Sequence, residues 1–181
     1  MQLIGISGSL RRHSYNSGLL RAAREAMPAG ATLTIASIAG VPLYNADAEA
    51  QGIPPTVEGL KDAVAAADGL MLVTPEYNNG IPGVFKNAID WMSRPSADIP
   101  RVFGGKPVAL IGASPGGFGT ISAQTGWLPV LRTLGAQLWT GGRLMVPHAG
   151  TAFDGEGNLI DAAVREKLAR FVAGFVESIR R

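Results

Sequence analysis

Three short stretches concentrate the side chains able to do chemistry. Residues 5–17 read GISGSLRRHSYNS, residues 74–83 read TPEYNNGIPG and residues 114–120 read SPGGFGT. The first offers Ser7, Ser9, Ser14 and Ser17 as hydroxyl donors, Asn16 as an amide, and Arg11 or Arg12 as a bidentate guanidinium. That set suits an anion such as phosphate. Where such a stretch runs into a helix, free backbone N–H groups and the positive end of the helix dipole add to the attraction. The same residues serve equally well as a polar helix start, with Ser14 or Asn16 as the N-cap. In the second stretch Pro75 fixes φ while Asn78, Asn79 and Gly80 tolerate unusual backbone angles. It could present N–H groups beside the Tyr77 ring to a planar heterocycle, or be a surface turn with Tyr77 as a lid on the core. The third, with Ser114, Gly116, Gly117 and Gly119, allows close backbone approach to a flat ligand, although glycine-rich turns are common.

Several chemistries are excluded. The chain of 181 residues has no cysteine, so disulfides, thiolate catalysis and cysteine-ligated metals fall away. No cluster of His, Asp and Glu has ligand-like spacing; His13 and His148 read as a solvated loop residue and a turn residue. There is no G-x-x-x-x-G-K-[ST], and GISGSL lacks the third glycine of G-x-G-x-x-G. A formal charge of +2 without a long Lys/Arg run argues against nucleic acid. The opening MQLIGISGSL has no basic region before an apolar run, and no stretch has the apolar length of a membrane span. A soluble cytoplasmic protein is the expectation.

The elements that must position these stretches alternate in type. Short apolar runs at 3–6, 32–38, 69–73, 107–113 and 136–140, the last extended by a possible run at 143–146, read as strands. Between them, 16–27, 56–67, 82–93 and 120–134 read as helices, and 161–181 closes the chain with an amphipathic one. Pro129 should kink the fourth helix or mark its early turns. With 46% hydrophobic and 17% charged residues, this is a globular composition able to bury a core. Strand–helix alternation without a repeat predicts one α/β domain over 1–181: a flavodoxin-like three-layer sandwich with a five-stranded parallel sheet in the order 2-1-3-4-5. In such a sheet ligands gather beyond the carboxyl ends of the strands, near the switch point between strands 1 and 3. The three stretches are the loops after strands 1, 3 and 4.

GSLRRHSYNS together with PEYNNGIPGVFKNAIDWMSRP resembles the NADPH-dependent FMN reductase family, which includes flavodoxin-like quinone, azo-dye and chromate reductases. SPGGFGT is a looser match to it. The resemblance implies that Ser9, Arg11, Asn16 and Ser17 bind the FMN phosphate, with Arg11 rather than Arg12 facing it. It implies that Pro75, Glu76, Tyr77 and Asn78 lie along the isoalloxazine ring, and that Ser114, Gly116 and Gly117 cover its other side. The implied activity passes hydride from NADPH or NADH through bound FMN to quinones, azo compounds, metal oxyanions or flavin, with no catalytic acid or base and no metal. The alternatives are an electron carrier, which a net charge of +2 disfavours, and a supplier of reduced FMN to a monooxygenase. A homodimer or homotetramer is implied too, with Phe85, Trp91 and Met92 as interface or core residues.

Overall fold

In the computed structural model, which describes residues 1–181, strands and helices alternate along the whole chain. β1 (Gln2–Ser7) leads to α1 (Tyr15–Glu25), and β2 (Thr32–Ala36) to a short α2 (Ala46–Glu49) and then α3 (Pro55–Ala66). β3 (Gly69–Val73) leads to α4 (Gly83–Met92) and a single turn, α5 (Ile99–Val102); β4 (Pro107–Ala113) leads to α6 (Ile121–Thr133). β5 (Gln137–Leu138), β6 (Leu144–Val146), a short α7 (Ala149–Ala152) and α8 (Ala162–Arg180) complete it. The sheet is parallel in the order β2-β1-β3-β4-β5, with β6 also pairing β4. Ile6 lies beside Ala36, Ser7 beside Val73, and Val73 beside Ile111. The loops after β1, β3 and β4 therefore leave one edge of the sheet side by side.

Helices cover both faces, as parallel pairing requires. One core joins Leu3, Met71, Val73 and Ile111 to Leu19 and Leu20 of α1 and to Phe171 and Phe175 of α8. The other joins Ile4, Ile6, Leu70 and Leu72 to α3, α4 and α6, where Phe85 meets Trp127 edge to face with ring centroids 5.0 Å apart. Phe85, Trp91 and Met92 are fully buried here, so they are core and not interface. α3 is pinned by Lys61, whose buried Nζ lies 2.6 Å from Asp98 and 2.9 Å from Glu58. Burial pulls this amine down, but the hydrogen bonds to Asp98 and Glu58 outweigh it and leave it above the ordinary lysine range. No helix is long and apolar enough to cross a membrane.

Two sequence expectations change in detail. The fifth strand position is shared: β5 pairs Pro107 and Val108, while β6 pairs Ile111 to Ala113. Between them the chain leaves the sheet so that Trp139 can pack on Phe171 and Phe175, at centroid distances of 4.9 and 5.7 Å. Only glycine fits next to that ring, since a Cβ on Gly141 would lie 2.6 Å from the Trp139 Nε1. Pro129 sits inside α6 rather than in its first turn. Pro129 is exposed, as is Thr125, whose carbonyl loses its donor, and the helix continues past both.

Candidate functional site

The loop after β1 is folded on its own hydroxyls. Ser7 Oγ accepts from the Ser9 N–H at 3.4 Å and from the Ser17 hydroxyl at 3.1 Å, and Ser9 Oγ accepts from the Arg11 N–H at 3.3 Å. Ser14 caps α1, accepting from the Ser17 N–H at 3.3 Å. The backbone amides of Arg12, His13, Ser14, Tyr15 and Asn16 donate to no protein acceptor. They lie at the start of α1, where the helix dipole is positive and free N–H groups suit an anion. Arg11 and Arg12 are exposed and make no ion pair, but Arg11 is placed: its guanidinium carbon lies 4.6 Å from the centroid of the Tyr15 ring.

Asn16 stands apart from its neighbours. Its side chain is buried and bonds reciprocally to one peptide group: Nδ2 donates to the Ala113 carbonyl and the Ala113 N–H donates to Oδ1, both at 2.9 Å. The last rung between the β3 and β4 chains runs from the Thr74 N–H to the Ile111 carbonyl. Two residues on, Ala113 offers the same edge with no strand left to pair it, and Asn16 closes that rung instead. One Nδ2–H and the Oδ1 of Asn16 are thus given to the Ala113 peptide, which makes the side chain a strap between the first loop and β4 and leaves its second Nδ2–H without a protein acceptor. Its backbone N–H has no protein acceptor either.

The loop after β3 carries its own rigid tip. Asn78 and Asn79 both take left-handed angles, φ 50° and 57°, and Tyr77 and Gly80 exchange two backbone hydrogen bonds of 3.2 and 3.0 Å. This is a two-residue hairpin whose paired positive φ values explain the Asn-Asn-Gly sequence. Tyr77 projects outward, 50% exposed, while Pro75 is buried. Thr74 beneath it donates to the Pro75 carbonyl at 2.8 Å and accepts from the Trp127 Nε1–H at 3.2 Å. Glu76 turns its carboxylate sideways: Oε2 accepts from the Ala123 N–H at 2.9 Å, capping α6, whose own N-cap residue Thr120 makes no side-chain cap. The backbone amides of Glu76, Asn78 and Asn79 remain without protein acceptors.

The loop after β4 is held from within and from behind. The buried Ser114 hydroxyl donates to the Gly119 carbonyl, its N–H donates to Val146, and its carbonyl accepts from Ala149. Ser114 therefore shapes the loop and keeps no free donor. Gly116 accepts from the His148 N–H at 3.1 Å, and a Cβ on Gly117 would come 3.5 Å from the His148 ring. His148, in a left-handed conformation at φ 48°, thus belongs to the rim of the site. His13 pairs with Glu156 at 3.2 Å, so it is more than a solvated loop residue. Both histidines look incidental in sequence because their partners lie far along the chain.

The three loops thus meet at one edge, the first tied through Asn16 to the end of β4 and the second through Glu76 to the start of α6, the two elements that flank the third. Upward they offer unpartnered backbone amides, an unpaired arginine and an exposed tyrosine. That combination is chemically suited to a ligand with an anionic end and a flat, acceptor-rich end.

Comparison with known proteins agrees with this geometry. The model of a family described as NADPH-dependent FMN reductase matches residues 1–151. The chain is 42% identical to an NAD(P)H-dependent FMN reductase of Pseudomonas aeruginosa over 181 residues, covering 100% of this chain and 96% of the relative. It is 36% identical to a 2-hydroxy-1,4-benzoquinone reductase of a Burkholderia species over 180 residues, 99% and 97% of the two chains. Among solved structures, FerB, a flavoenzyme NAD(P)H:(acceptor) oxidoreductase from Paracoccus denitrificans, superposes with a TM-score of 0.87 at 32% identity, over 99% of this chain and 97% of that one.

Proposed function

Because the chain belongs to the NADPH-dependent FMN reductase family, we propose that its three adjoining loops are the FMN site of an NAD(P)H-dependent oxidoreductase. Ser9, Arg11, Asn16 and the amides of Arg12 to Asn16 take the phosphate, and Ser17 lies beside it with its hydroxyl on Ser7. Pro75, Tyr77 and the amides of Glu76 and Asn78 line the isoalloxazine ring, and the Ser114, Gly116 and Gly117 backbone covers its other side. The observation that carries this reading is the row of unpartnered amides from Arg12 to Asn16 beside the unpaired Arg11. A phosphate at that place gains several N–H donors and a charge-assisted bond without a metal.

FMN supplies the hydride acceptance and onward electron transfer that no side chain of this cysteine-free chain provides. The protein contributes orientation and backbone N–H groups beside the ring, which favour negative charge there at no reorganisation cost. The unpartnered amides of Glu76, Asn78 and Asn79, the last two at the tip of the hairpin, support this reading. No side-chain acid or base is needed.

Quinones are the first acceptors to test, in keeping with the relatives named quinone reductases; azo compounds, metal oxyanions and free flavin are further candidates. We place a homodimer or homotetramer contact around the same loops, where Tyr77, Val84, Phe118, Ile121 and Leu128 leave large apolar side chains exposed. Residues 1–181 then form one domain, both cores sharing one sheet, and the lack of cysteine suits a cytoplasmic location.

The deciding measurement is flavin affinity. Arg11→Ala should weaken FMN binding about ten- to a hundred-fold, the worth of a hydrogen bond to a charged group, while Arg12→Ala changes it little. Unchanged FMN affinity in Arg11→Ala removes the phosphate assignment. Anaerobic addition of NADPH should bleach the bound flavin, and a benzoquinone should restore its colour.

A further inference from the structure

Arg11 is exposed and makes no ion pair, yet its side chain has a support. The guanidinium carbon lies 4.6 Å from the Tyr15 ring centroid, and the Tyr15 ring is backed by Phe153, with centroids 5.2 Å apart and planes inclined by 40°. Phe153 is buried, only 3% exposed. It leads into a turn that Asp154 organises: its carboxylate accepts from the Glu156 N–H at 3.0 Å, the Asn158 N–H at 2.8 Å and the Asn158 Nδ2 at 3.1 Å. Those bonds, the backbone one from Asn158 first, hold the Asp154 carboxyl below the usual carboxylate range.

The turn is fastened to the start of α1. Arg21 donates to the Gly157 carbonyl and to Asn158 Oδ1, each at 3.1 Å, and His13 pairs with Glu156. Only glycine lets α1 come so close: a Cβ on Gly18 would fall 1.8 Å from the Gly157 oxygen. Phe153 and the 154–158 turn lie beyond residue 151, where the family match ends. A segment outside the matched region therefore grips the loop and helix start that present the arginine.

We propose that Tyr15 and Phe153 form an aromatic brace, anchored by the 154–158 turn, that aims the Arg11 guanidinium at the flavin phosphate. The proposal rests on the assignment of Arg11 made above. Tyr15 and Phe153 are positioning residues: they act through Arg11 and touch no reacting atom. A long arginine loses rotamer freedom when it binds an anion, and a guanidinium already stacked on a ring has lost part of it beforehand. Removal of the stack should thus be felt at the phosphate and nowhere else on the flavin.

The full-length chain is titrated with FMN and with riboflavin, which has the same ring and no phosphate, by quenching of flavin fluorescence. Tyr15→Leu should weaken FMN about tenfold, within the range a partly desolvated cation–ring contact is worth, and leave riboflavin within about twofold. Tyr15→Phe keeps the ring and should restore FMN to within about twofold of wild type. In an Arg11→Ala background Tyr15→Leu should add less than about twofold, because the group it aims is gone. Equal losses for FMN and riboflavin in Tyr15→Leu would make Tyr15 a merely structural residue and overturn the brace. So would an unchanged FMN affinity in Tyr15→Leu while Arg11→Ala still separates FMN from riboflavin. If Arg11→Ala itself fails to separate the two flavins, the phosphate assignment falls and takes the brace with it.

Discussion

Replacing Asn16 with alanine tests whether this residue is a strap or a ligand. Its side chain satisfies both polar groups of the Ala113 peptide at 2.9 Å, and Ala113 is only 2% exposed. Truncation leaves a buried N–H and a buried C=O without partners, each costing about 1–3 kcal/mol. Partial entry of water through the shortened side chain should keep the total at about 2–4 kcal/mol. For a chain of this size that corresponds to a fall in Tm of roughly 4–16 °C. Thermal or urea unfolding of the flavin-free chain measures it, with the flavin-free form used so that lost ligand binding cannot imitate lost stability. Asn16→Asp should be at least as harmful near neutral pH, since a carboxylate accepts from the Ala113 N–H but opposes the carbonyl. An Asn16→Ala variant of wild-type stability that had lost FMN affinity a hundredfold would refute the strap and make the side chain a phosphate ligand.

Two further outcomes concern carboxylates held by hydrogen bonds, among them Glu49, which accepts from Tyr44 at 2.7 Å and from Arg94 at 2.9 Å. Glu76→Ala should lower stability by about 0.5–2 kcal/mol through loss of the α6 cap, and Glu76→Gln, which keeps the acceptor, should recover most of it; denaturant unfolding of both variants checks this. Three carboxylates are held below their ordinary range: Glu49 by hydrogen bonds from Arg94 and then Tyr44, Asp98 by one from Lys61, and Asp154 by the Asn158 backbone. A depressed carboxylate contributes stability above its unfolded pKa, and that contribution is lost as pH falls through the folded value. The thermal midpoint should therefore hold steady above about pH 5 and drop below about pH 4, and Asp154→Asn should make that drop shallower. An acid limb of the same steepness in Asp154→Asn would remove Asp154 from the account.

The strand order and the choice of loops were legible because both follow from local patterns. Apolar runs such as GLMLV are strands buried on both faces, and the parallel sheet then puts 5–17, 74–83 and 114–120 on one edge. What could not be read was where individual side chains end up. Asn16 has the look of a donor in a polar loop, yet its partner is 97 residues away in a peptide that a strand has ceased to pair. Glu76 sits in a motif that suggests a ligand, and its carboxylate is taken by a helix start 47 residues on. The break after Leu138 depends on a Trp139 ring meeting a helix at the far end of the chain. Such destinations depend on packing, and no periodicity announces them. The brace beneath Arg11 escaped for the same reason: Tyr15 reads as an ordinary first-turn residue until Phe153 is behind it.

The downward orientation of Asn16, Glu76 and Ser114 separates the residues that keep the loops in shape from those that meet the solvent. Tyr77, Phe118 and His148 stand on the outside, exposed and free of side-chain hydrogen bonds within the chain. For a laboratory wishing to redirect the enzyme, this divides the rim into two sets. Diversity at 77 and 118 leaves the fold of the chain alone and is read in what the site binds, while at 148 the left-handed backbone restricts the choice. At 16, 76 and 114 each change costs stability before it alters the site.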